Sequence, residues 1–354
     1  MKLKDSIINN LLKDKITKLS LSILLFLYLF VIFADFIAPY NPNSRDTKAS
    51  YIPSSSIHIF HRGKLSFPFI CKTRFFLDEF TFERKFIEDK TEQHEIKFFI
   101  KGDKYKFFGL IPSDIHLFGV NSEQRIYLFG TDRNGRDIFS RILFGGRPSL
   151  TIGFIGLLIV FPLGLLYGGI AGYFGGALDN FLMRIAEAFM SLPYFYLIVV
   201  LASVLPANIS NSQRFLLITI ILSFVSWAGL SRVIRGQVLS IKEEDYVQAA
   251  KAIGLADLKI IIKHVLPQTA SYIIIAATLS IPGFIIGESA LSFLGMGITQ
   301  PDPSWGNILS EGKELSNMLV RPYLLLLPAF CIFISVLSFN LIGDKLRDVL
   351  DPRG

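Results

Sequence analysis

Two carboxylates in apolar surroundings are the side chains of this sequence with the clearest potential for chemistry. Glu187 and Glu288 fall within or next to segments apolar enough to lie in a membrane, where a charge is costly and often marks an ion path. Glu187 follows Arg184 by three residues, and this helical spacing predicts a local ion pair. Glu288 lies deeper in its segment, so we expect it in the interior of the protein rather than in direct contact with a ligand.

Cysteine and histidine positions predict no metal site. Cys71 lies in a polar region and Cys331 in an apolar segment, so we expect neither a disulfide nor a metal site with partner residues. Four histidines are scattered along the polar region without the short spacing of zinc ligands, and we expect ordinary solvated side chains: His58, His61, His94 and His116.

Motifs for nucleotide binding and catalysis are missing from the sequence. Gly306 and the pair Gly312-Lys313 come closest to a phosphate-binding Walker A loop, but the spacing differs and Glu314 stands where Ser or Thr belongs. Neither a metalloprotease motif nor a serine nucleophile elbow is present. We therefore predict a non-catalytic protein that needs no cofactor and cannot hydrolyse ATP by itself.

The composition predicts a membrane protein with one sizeable aqueous segment. Of the 354 residues, 51% are hydrophobic and 18% are charged, and the mean hydropathy is +0.48. A soluble domain of this size is less apolar, and a bare helix bundle carries fewer charges. The net charge of +7 is typical of basic loops kept at the cytoplasmic face and does not indicate nucleic-acid binding.

Six apolar segments approach the roughly twenty residues that cross a bilayer. We expect an all-α polytopic membrane protein with six transmembrane helices near Leu19–Ala38, Ser149–Gly172, Phe181–Leu205, Phe215–Ile234, Tyr272–Leu294 and Leu324–Ile342. The first segment is too long for a signal peptide and lacks a cleavage site, so it is expected to remain as an anchor. Prolines that interrupt three of the segments are consistent with helices lining a pore: Pro162, Pro193 and Pro282.

Basic residues predict the orientation of these helices. They concentrate before the first segment, around the loop after the fourth and behind the last, which places these regions and both termini in the cytoplasm. These residues are Lys2, Lys4, Lys13, Lys15 and Lys18, then Arg232, Arg235, Lys242, Lys251, Lys259 and Lys263, then Lys345, Arg347 and Arg353. The predicted domains are residues 1–39 with the first helix, residues 40–146 outside the membrane, and residues 147–354 as a five-helix core.

The predicted external domain is a β-rich insertion between the first and second helices. Three hairpins are expected: Ile57–Phe60 with Leu65–Phe69 around His61-Arg62-Gly63, Glu95–Ile100 with Lys104–Phe108 around Lys101-Gly102-Asp103, and Ile115–Phe118 with Ile126–Phe129 around another polar turn. The domain either binds another molecule or braces the helices, and bracing is favoured. A short interfacial helix with an apolar stripe of Ile138, Phe139, Ile142 and Leu143 is expected to close it, with three arginines reaching lipid headgroups: Arg136, Arg141 and Arg147.

The polar loop at residues 235–268, here called the central loop, has helical periodicity of its own. One face of a first short helix carries Tyr246, Ala249, Ala250 and Ile253. Gly254 is expected to end this helix with a positive φ, and Pro267 to end a second helix. The second helix carries Leu258, Ile261, Ile262 and Val265 on one side. Small exposed residues let another protein approach closely, so the loop is predicted to be a docking element; a hairpin lying on lipid headgroups is the alternative.

Small residues at two further places predict close packing and a turn. The second segment carries Gly164, Gly168 and Gly172, a spacing that lets helices pack backbone to backbone. Pro301 to Gly306 is expected to form a turn before a short external helix at Asn307–Met318, which tucks back toward a path through the protein. Three residues of this turn are gate candidates: Ser304, Trp305 and Gly306.

These motifs together resemble the permease subunits of binding-protein-dependent ABC importers. Gln248-Ala249-Ala250, Gly254 and Leu266-Pro267 are similar to the EAA loop of that family, although Gln248 stands where Glu is usual and His264 where Ile is usual. The run Gly130–Arg147 and the ending Asn340–Arg353 are similar to segments of the dipeptide/oligopeptide branch. Glu288 also lies in a Leu-Ser-Phe-Leu-Gly context similar to that of the family.

The resemblance implies a pore subunit of an ATP-driven importer for oligopeptides or dipeptides in the inner membrane of a bacterium. The implied partners are a homologous second permease in a heterodimer, two cytoplasmic ABC ATPases, an extracytoplasmic solute-binding protein, the peptide and membrane lipid, but no nucleic acid. The implied ATPase-coupling residues are Tyr246, Gln248, Ala249, Ala250, Gly254, Leu266 and Pro267. Glu288 and the three glycines of the second segment are expected in the interior or at the interface with the partner permease.

Three alternative functions remain open from the sequence. Permease motifs do not encode the substrate, so nickel or another small solute is possible. A secondary transporter driven by an ion gradient would need ionisable residues along its path and an inverted repeat, and neither is clear. A membrane-embedded enzyme would need a catalytic cluster, which is not visible.

Overall fold

The computed structural model describes residues 11–61, 64–77, 84–107, 109–121, 124–206 and 208–350, with the side chains of residues 61 and 64 left aside. Several residues used in the predictions lie outside the described residues: Lys2, Lys4, Arg62, Gly63, Phe108 and Arg353. The chain divides into two compact units. The first, the membrane unit, comprises Met1–Leu25, Ser149–Ile298 and Ile332–Gly354; the second, the sheet unit, comprises Phe26–Pro148 and Thr299–Cys331.

Helices make up most of the described chain. Their bounds are α1 Lys15–Ile32, α2 Ala34–Ile37, α3 Ile138–Phe174, α4 Gly176–Ser191, α5 Tyr194–Ser203, α6 Asn211–Ile241, α7 Asp245–Ala252, α8 Asp257–Ile260, α9 Ala270–Phe293, α10 Trp305–Glu311, α11 Leu315–Val320 and α12 Tyr323–Leu350. A five-residue π-helical segment, Ile261–Val265, and a 3₁₀ turn, Leu266–Thr269, join α8 to α9.

Five helical runs of the described chain are long and apolar enough to cross a membrane: Lys15–Ile32, Ile138–Phe174, Asn211–Ile241, Asp257–Phe293 and Tyr323–Leu350. The remaining predicted span, Phe181–Leu205, is divided between α4 and α5, which bend by 82°. Leu192 and Pro193 at the bend have extended backbone, as expected where proline disfavours helical geometry in the preceding residue. A sixth membrane crossing by this bent pair therefore stays a prediction.

Only one of the three prolines expected to interrupt spans does so. Pro282 lies inside α9 and Pro162 lies within the continuous α3, so the helical runs continue past both. Neighbouring helices can provide a partner for the backbone carbonyl that an interior proline leaves without its helical hydrogen bond. Only Pro193 coincides with a break.

The core of the membrane unit forms where α3 packs closely against α6. A Cβ added at Gly164 would lie 2.7 Å from Leu230, and one at Gly168 would lie 2.3 Å from the carbonyl oxygen of Ser231. At Gly172 the distance to the carbonyl oxygen of Arg235 would be 2.7 Å. The glycine stripe thus faces α6 of the same chain and provides the close backbone contact that stabilises helix pairs in lipid.

A four-stranded antiparallel sheet lies in the sheet unit, with strand order β1-β2-β3-β4. The strands are β1 His58–His61, β2 Lys64–Leu77, β3 Arg84–Phe107 and β4 Ile111–Val120. Buried Ile70, Ile96 and Ile126 form a small core beside it. The described chain is therefore mostly helical but not all-α.

The predicted strand pairings differ in part from the sheet. β1 pairs with β2 as expected, His58 opposite Phe69. The expected turn at Lys101-Gly102-Asp103 lies instead within β3, which continues to Phe107 and pairs with β4. The expected partner strand at residues 126–129 is not a strand. The β3–β4 ladder is irregular between Lys101 and Tyr105, and this irregularity accommodates Gly102 within β3.

Candidate functional site

The central loop folds into two short helical segments joined at a glycine. α7 ends at Ala252, and Gly254 follows with φ +79°. The amide of Leu255 donates to the carbonyl of Ala250 over 3.2 Å, and the amide of Gly254 donates to that of Lys251 over 3.0 Å. This hydrogen-bond pair is a Schellman motif, which satisfies carbonyls at a helix end and favours glycine at its left-handed position. The predicted positive φ at Gly254 is confirmed.

The inner face of the loop packs on its own chain. Val247 and Ala250 of α7 join Ile260 and Val265 in one buried cluster with Val238 and Ile234 of α6. Ala250 is only 6% exposed. The prediction that Ala249 and Ala250 share an exposed face is wrong for Ala250, because the buried stripe of α7 runs through Val247 and Ala250 while Ala249 is exposed.

The outer face of the loop is exposed and apolar. Tyr246 is 42% exposed and Ile253 is 77% exposed, and they flank the exposed Ala249 on α7. On the second segment Leu258 is 54% and Ile262 is 48% exposed, whereas Ile261 is buried. The predicted stripe of four apolar residues on this segment therefore divides into an inner pair, Ile261 and Val265, and an outer pair, Leu258 and Ile262. The outer face leaves large apolar side chains uncovered within an otherwise folded element.

Polar contacts fix the loop to the helices beside it. Arg235 of α6 binds Asp179 of α4 through two hydrogen bonds of 2.7 and 2.6 Å, a bidentate geometry. The Tyr173 hydroxyl donates to Asp257 at the start of α8 over 2.8 Å. Gln248, where the EAA pattern has Glu, donates to the carbonyl of Lys242 over 2.8 Å. The base of the loop is thus held firmly while its outer face stays open.

The second loop segment does not end at Pro267. Pro267 lies within the short 3₁₀ turn Leu266–Thr269, and the helical run continues directly into α9. Pro267 occupies an early position of this turn, where a missing amide hydrogen removes no helical hydrogen bond. The predicted boundary is therefore wrong, because the helical run continues from the central loop into α9 without a break.

The two carboxylates of the apolar segments lie in contrasting places. Arg184 and Glu187 form the predicted ion pair, 3.1 Å apart on an exposed helix surface. Glu288 is fully buried and accepts hydrogen bonds from Ser149 over 2.9 Å and from Ser292 over 2.7 Å. The predicted interior position of Glu288 is confirmed, and its carboxylate is bonded to two serines of its own chain. Its expected place at the interface with a partner permease stays a prediction.

The sheet unit contains a buried charge cluster that the sequence did not predict, formed by Asp132, Arg136, Arg141 and Glu311. Arg136 contacts Asp132 over 2.6 Å and Glu311 over 3.0 Å, and both arginines have fully buried side chains. Both also donate to the Gln300 side chain. Burial raises the pKa of Glu311 above its ordinary value, with the Asp132 charge adding to the effect.

The charge cluster overturns the expected interfacial helix. Ile138 begins a 37-residue helix, and Arg136 and Arg141 are enclosed by protein instead of reaching lipid headgroups. Arg147 pairs with Asp35 over 2.6 Å. Periodicity identified the helix but could not show that residues 300 and 311, far along the chain, supply partners for these arginines.

The three gate candidates are buried parts of the same unit. Ser304 caps α10 through a reciprocal pair of hydrogen bonds with Asn307. Trp305 is 1% exposed and its indole donates to the carbonyl of Ile142 over 2.9 Å. Gly306 lies inside α10 and not in a turn, and the expected helix at Asn307–Met318 is split into α10 and α11. These residues hold the unit together and present no exposed gate surface.

Histidine and cysteine surroundings also differ from the prediction. His116 is 3% exposed, and its ring nitrogens lie 2.6 Å from the carbonyl oxygen of Ala38 and 2.9 Å from that of Asp103. Cys71 and Cys331 are both free thiols. The prediction that Cys71 lacks potential metal-ligating neighbours is wrong, because the strands bring it close to His58 and Glu88.

Comparison with known proteins gives matches over both ends of the chain. Residues 148–353 match the family model described as binding-protein-dependent transport system inner membrane component, and residues 5–53 match the N-terminal TM domain of oligopeptide transport permease C. Residues 54–147 lie outside both matches.

Three curated proteins illustrate the similarity. The oligopeptide transport system permease protein OppC of Haemophilus influenzae is 41% identical over 64% of this chain and 70% of its own length. The dipeptide transport system permease protein DppC of Bacillus subtilis is 42% identical over 64% and 68%, respectively. The glutathione transport system permease protein GsiD of Escherichia coli is 38% identical over 64% and 72%.

Proposed function

The chain belongs to the family of binding-protein-dependent transport system inner membrane components, and from this membership we propose that it is a pore-forming subunit of an ATP-driven peptide importer. The proposed partners are a second, homologous permease, two cytoplasmic ATPases and an extracytoplasmic solute-binding protein. A peptide substrate is proposed because the similar proteins are named for oligopeptides, dipeptides and glutathione.

The outer face of the central loop is the observation that carries this proposal. Exposed apolar side chains on a well-folded, polar-anchored element indicate a protein-binding surface, since isolated apolar residues are common on surfaces but clustered ones are not. Tyr246, Ala249 and Ile253 occupy one stripe of α7, with Leu258 and Ile262 on the following segment. A helix with a small central residue between two larger ones fits a groove on an ATPase subunit.

A cavity in the membrane unit supports a role in transport. Its volume is about 290 Å³, and the residues that line it include Tyr194, Ser226 and Ser280. Gly229 and Gly283 also line it, and neither has an atom within 4 Å of the position where a Cβ would project. Small residues and hydroxyls present hydrogen-bonding groups without demanding one side-chain shape, which suits a passage for peptides of varied sequence.

In the proposed mechanism, closure of the ATPase dimer displaces the central loop and favours one of two conformations of the membrane unit. ATP would bias the two states through their different contacts with the ATPases. The continuous helical run from Asp257 to Phe293 and the Arg235–Asp179 pair would transmit this displacement from the loop to the membrane-spanning helices. The chain itself contributes no catalytic residue to ATP hydrolysis.

The proposed orientation has both termini and the central loop in the cytoplasm, with residues 40–146 outside. The basic residues around the loop support this orientation. A cysteine at the exposed Ser54, placed in a chain with Cys71 and Cys331 replaced, should react with an impermeant thiol reagent in intact cells. Labelling only after the cytoplasm is opened would show that residues 40–146 face the cytoplasm and would contradict the proposed orientation.

Transport by the assembled complex tests the proposed function. Proteoliposomes that contain both permeases and both ATPases should accumulate a labelled oligopeptide only when ATP and the loaded binding protein are supplied. The purified chain without its ATPases should bind no nucleotide. Peptide accumulation by this chain alone, driven by an ion gradient, would establish a secondary transporter and contradict the proposal.

A further inference from the structure

The sheet brings three potential metal ligands together from three strands. His58 of β1 lies opposite Phe69 of β2, and Glu88 of β3 lies opposite Thr73. Because side chains alternate between the faces of a sheet, Phe69, Cys71 and Thr73 share one face, and the residues paired with them lie on it too. His58, Cys71 and Glu88 therefore converge on one patch although 30 residues separate the first from the last.

The distances between the ligand atoms fit a first coordination shell. His58 Nε2 lies 3.1 Å from Glu88 Oε2, and both atoms and Cys71 Sγ lie within 4.8 Å of one another. Ligands at Zn–N, Zn–O and Zn–S bond lengths around a tetrahedral ion are separated by roughly 3.3–3.8 Å. The observed arrangement is thus within about 1 Å of this geometry, a distance that side-chain rotation can cover.

The surroundings of the three residues favour a coordination site. The strand ladders are irregular at His58 and again directly after Cys71, and such irregularities commonly re-aim side chains at functional sites. Cys71 is 5% exposed, whereas the side chains of His58 and Glu88 are 33% and 29% exposed. The thiol thus forms the floor of the site, and solvent has access from the side of the other two ligands.

From this geometry we propose that His58, Cys71 and Glu88 form a binding site for Zn²⁺, with water as the fourth ligand. Thiolate, imidazole and carboxylate together suit zinc rather than the oxygen-preferring magnesium or calcium ions. A bound ion would join β1, β2 and β3 and would stabilise the sheet against unfolding. The proposal does not depend on the transport function, since all three residues lie outside the matched family regions.

Zinc titration of the purified full-length chain in detergent tests the site. A competing chromophoric chelator reports the dissociation constant, and Co²⁺ substitution reports a thiolate ligand through its charge-transfer absorption. The wild-type chain should bind one Zn²⁺, show this absorption with Co²⁺ and unfold at a higher temperature when zinc is present. Cys71→Ser should abolish the absorption and weaken zinc binding by about 100-fold or more, and His58→Gln and Glu88→Gln by at least about tenfold.

Two controls make the outcome decisive. Cys331→Ser removes the other thiol, and His94→Gln removes a histidine of the same sheet that lies outside the group, so neither should change zinc affinity. Should Cys71→Ser disturb the sheet, the two milder substitutions still test the site, because they leave the thiol in place. Equal zinc affinity in the wild type and in all three ligand variants, or an equal loss in either control, would overturn the proposal.

Discussion

The central loop and the buried charge cluster differ in which side chains they expose and which they bury. The loop places large apolar side chains outside, with Ile253 77% exposed, and holds its base with polar contacts. The cluster places two arginines and two acids inside, with Arg136 and Arg141 completely buried. Uncovered apolar surface indicates a place where another molecule binds, whereas enclosed, mutually paired charges fix one local arrangement of the chain. The loop is therefore the candidate contact surface, and the cluster is a structural brace.

The largest expected effect comes from breaking the charge cluster. Arg136→Ala leaves Asp132 and Glu311 buried beside a single arginine, and removal of one partner from a buried ion pair costs about 3–5 kcal/mol. The amount of protein in the membrane and its unfolding temperature in detergent should both fall. Arg133→Ala, three residues away at an exposed position, is the matched control and should change neither. Normal abundance of Arg136→Ala would show that the cluster does not brace the chain.

A second pair of substitutions separates the two faces of α7. Ala250 lies in the buried cluster of the loop and Ala249 is exposed. Ala250→Trp should overpack this core and destabilise the chain by about 1–3 kcal/mol. Ala249→Trp should leave the unfolding temperature unchanged while it reduces peptide uptake and co-purification of the ATPases. An equal fall in unfolding temperature for both variants would contradict the assignment of Ala250 to a buried face and Ala249 to an exposed face.

Periodicity in the sequence predicted the existence of α7 and its end at Gly254, but not which alanine faces inward. Over an eight-residue helix, the stripe through Tyr246 and Ala249 and the stripe through Val247 and Ala250 lie side by side, so periodicity alone cannot choose between them. The choice depends on packing against Val238 and Ile260, which no local pattern contains.

Long-range partners explain the other differences from the predictions. Arg136 and Arg141 acquire Glu311 only through the fold, and Lys101-Gly102-Asp103 stays in β3 because β4 pairs alongside it. His58, Cys71 and Glu88 likewise meet only once the strands are in register. Apolar segments are local signals, and these predicted the five helical runs of the described chain that are long enough to cross a membrane.

A smaller effect is expected at the bend of the central loop. Gly254 has φ +79°, and a Cβ there would meet no atom within 4 Å. Gly254→Val should therefore cost only backbone strain, on the order of 1–3 kcal/mol, without a clash. Gly254→Asn is the matched control, because asparagine tolerates left-handed backbone better than other residues. ATPase stimulation by loaded binding protein should fall more in the valine variant; equal activity of both would show that the bend does not need this conformation.

The last expected effect depends on pH and concerns the acid that caps α3. Ser140 donates two hydrogen bonds to Asp137, but burial raises the Asp137 pKa from 3.8 to about 6. A raised folded-state pKa adds stability at low pH that is lost as the pH rises through the folded value. As the pH rises from about 4 to about 6, the unfolding temperature of the wild type should therefore fall relative to that of Asp137→Asn, which retains a capping side chain. Parallel pH profiles of the two proteins would rule out this contribution.

Site-directed cross-linking of the assembled importer tests most directly whether the outer face of the central loop binds the ATPase. In a chain with Cys71→Ser and Cys331→Ser, cysteine is placed at Ala249 or, as the matched control, at Ala250 one position along the helix. A thiol-reactive cross-linker of short reach should join the Ala249→Cys chain to an ATPase subunit and leave the Ala250→Cys chain unlinked, because Ala250 is buried in the loop. The account would be contradicted if Ala249→Cys gave no ATPase adduct while the complex remained assembled, or if Ala250→Cys cross-linked equally well.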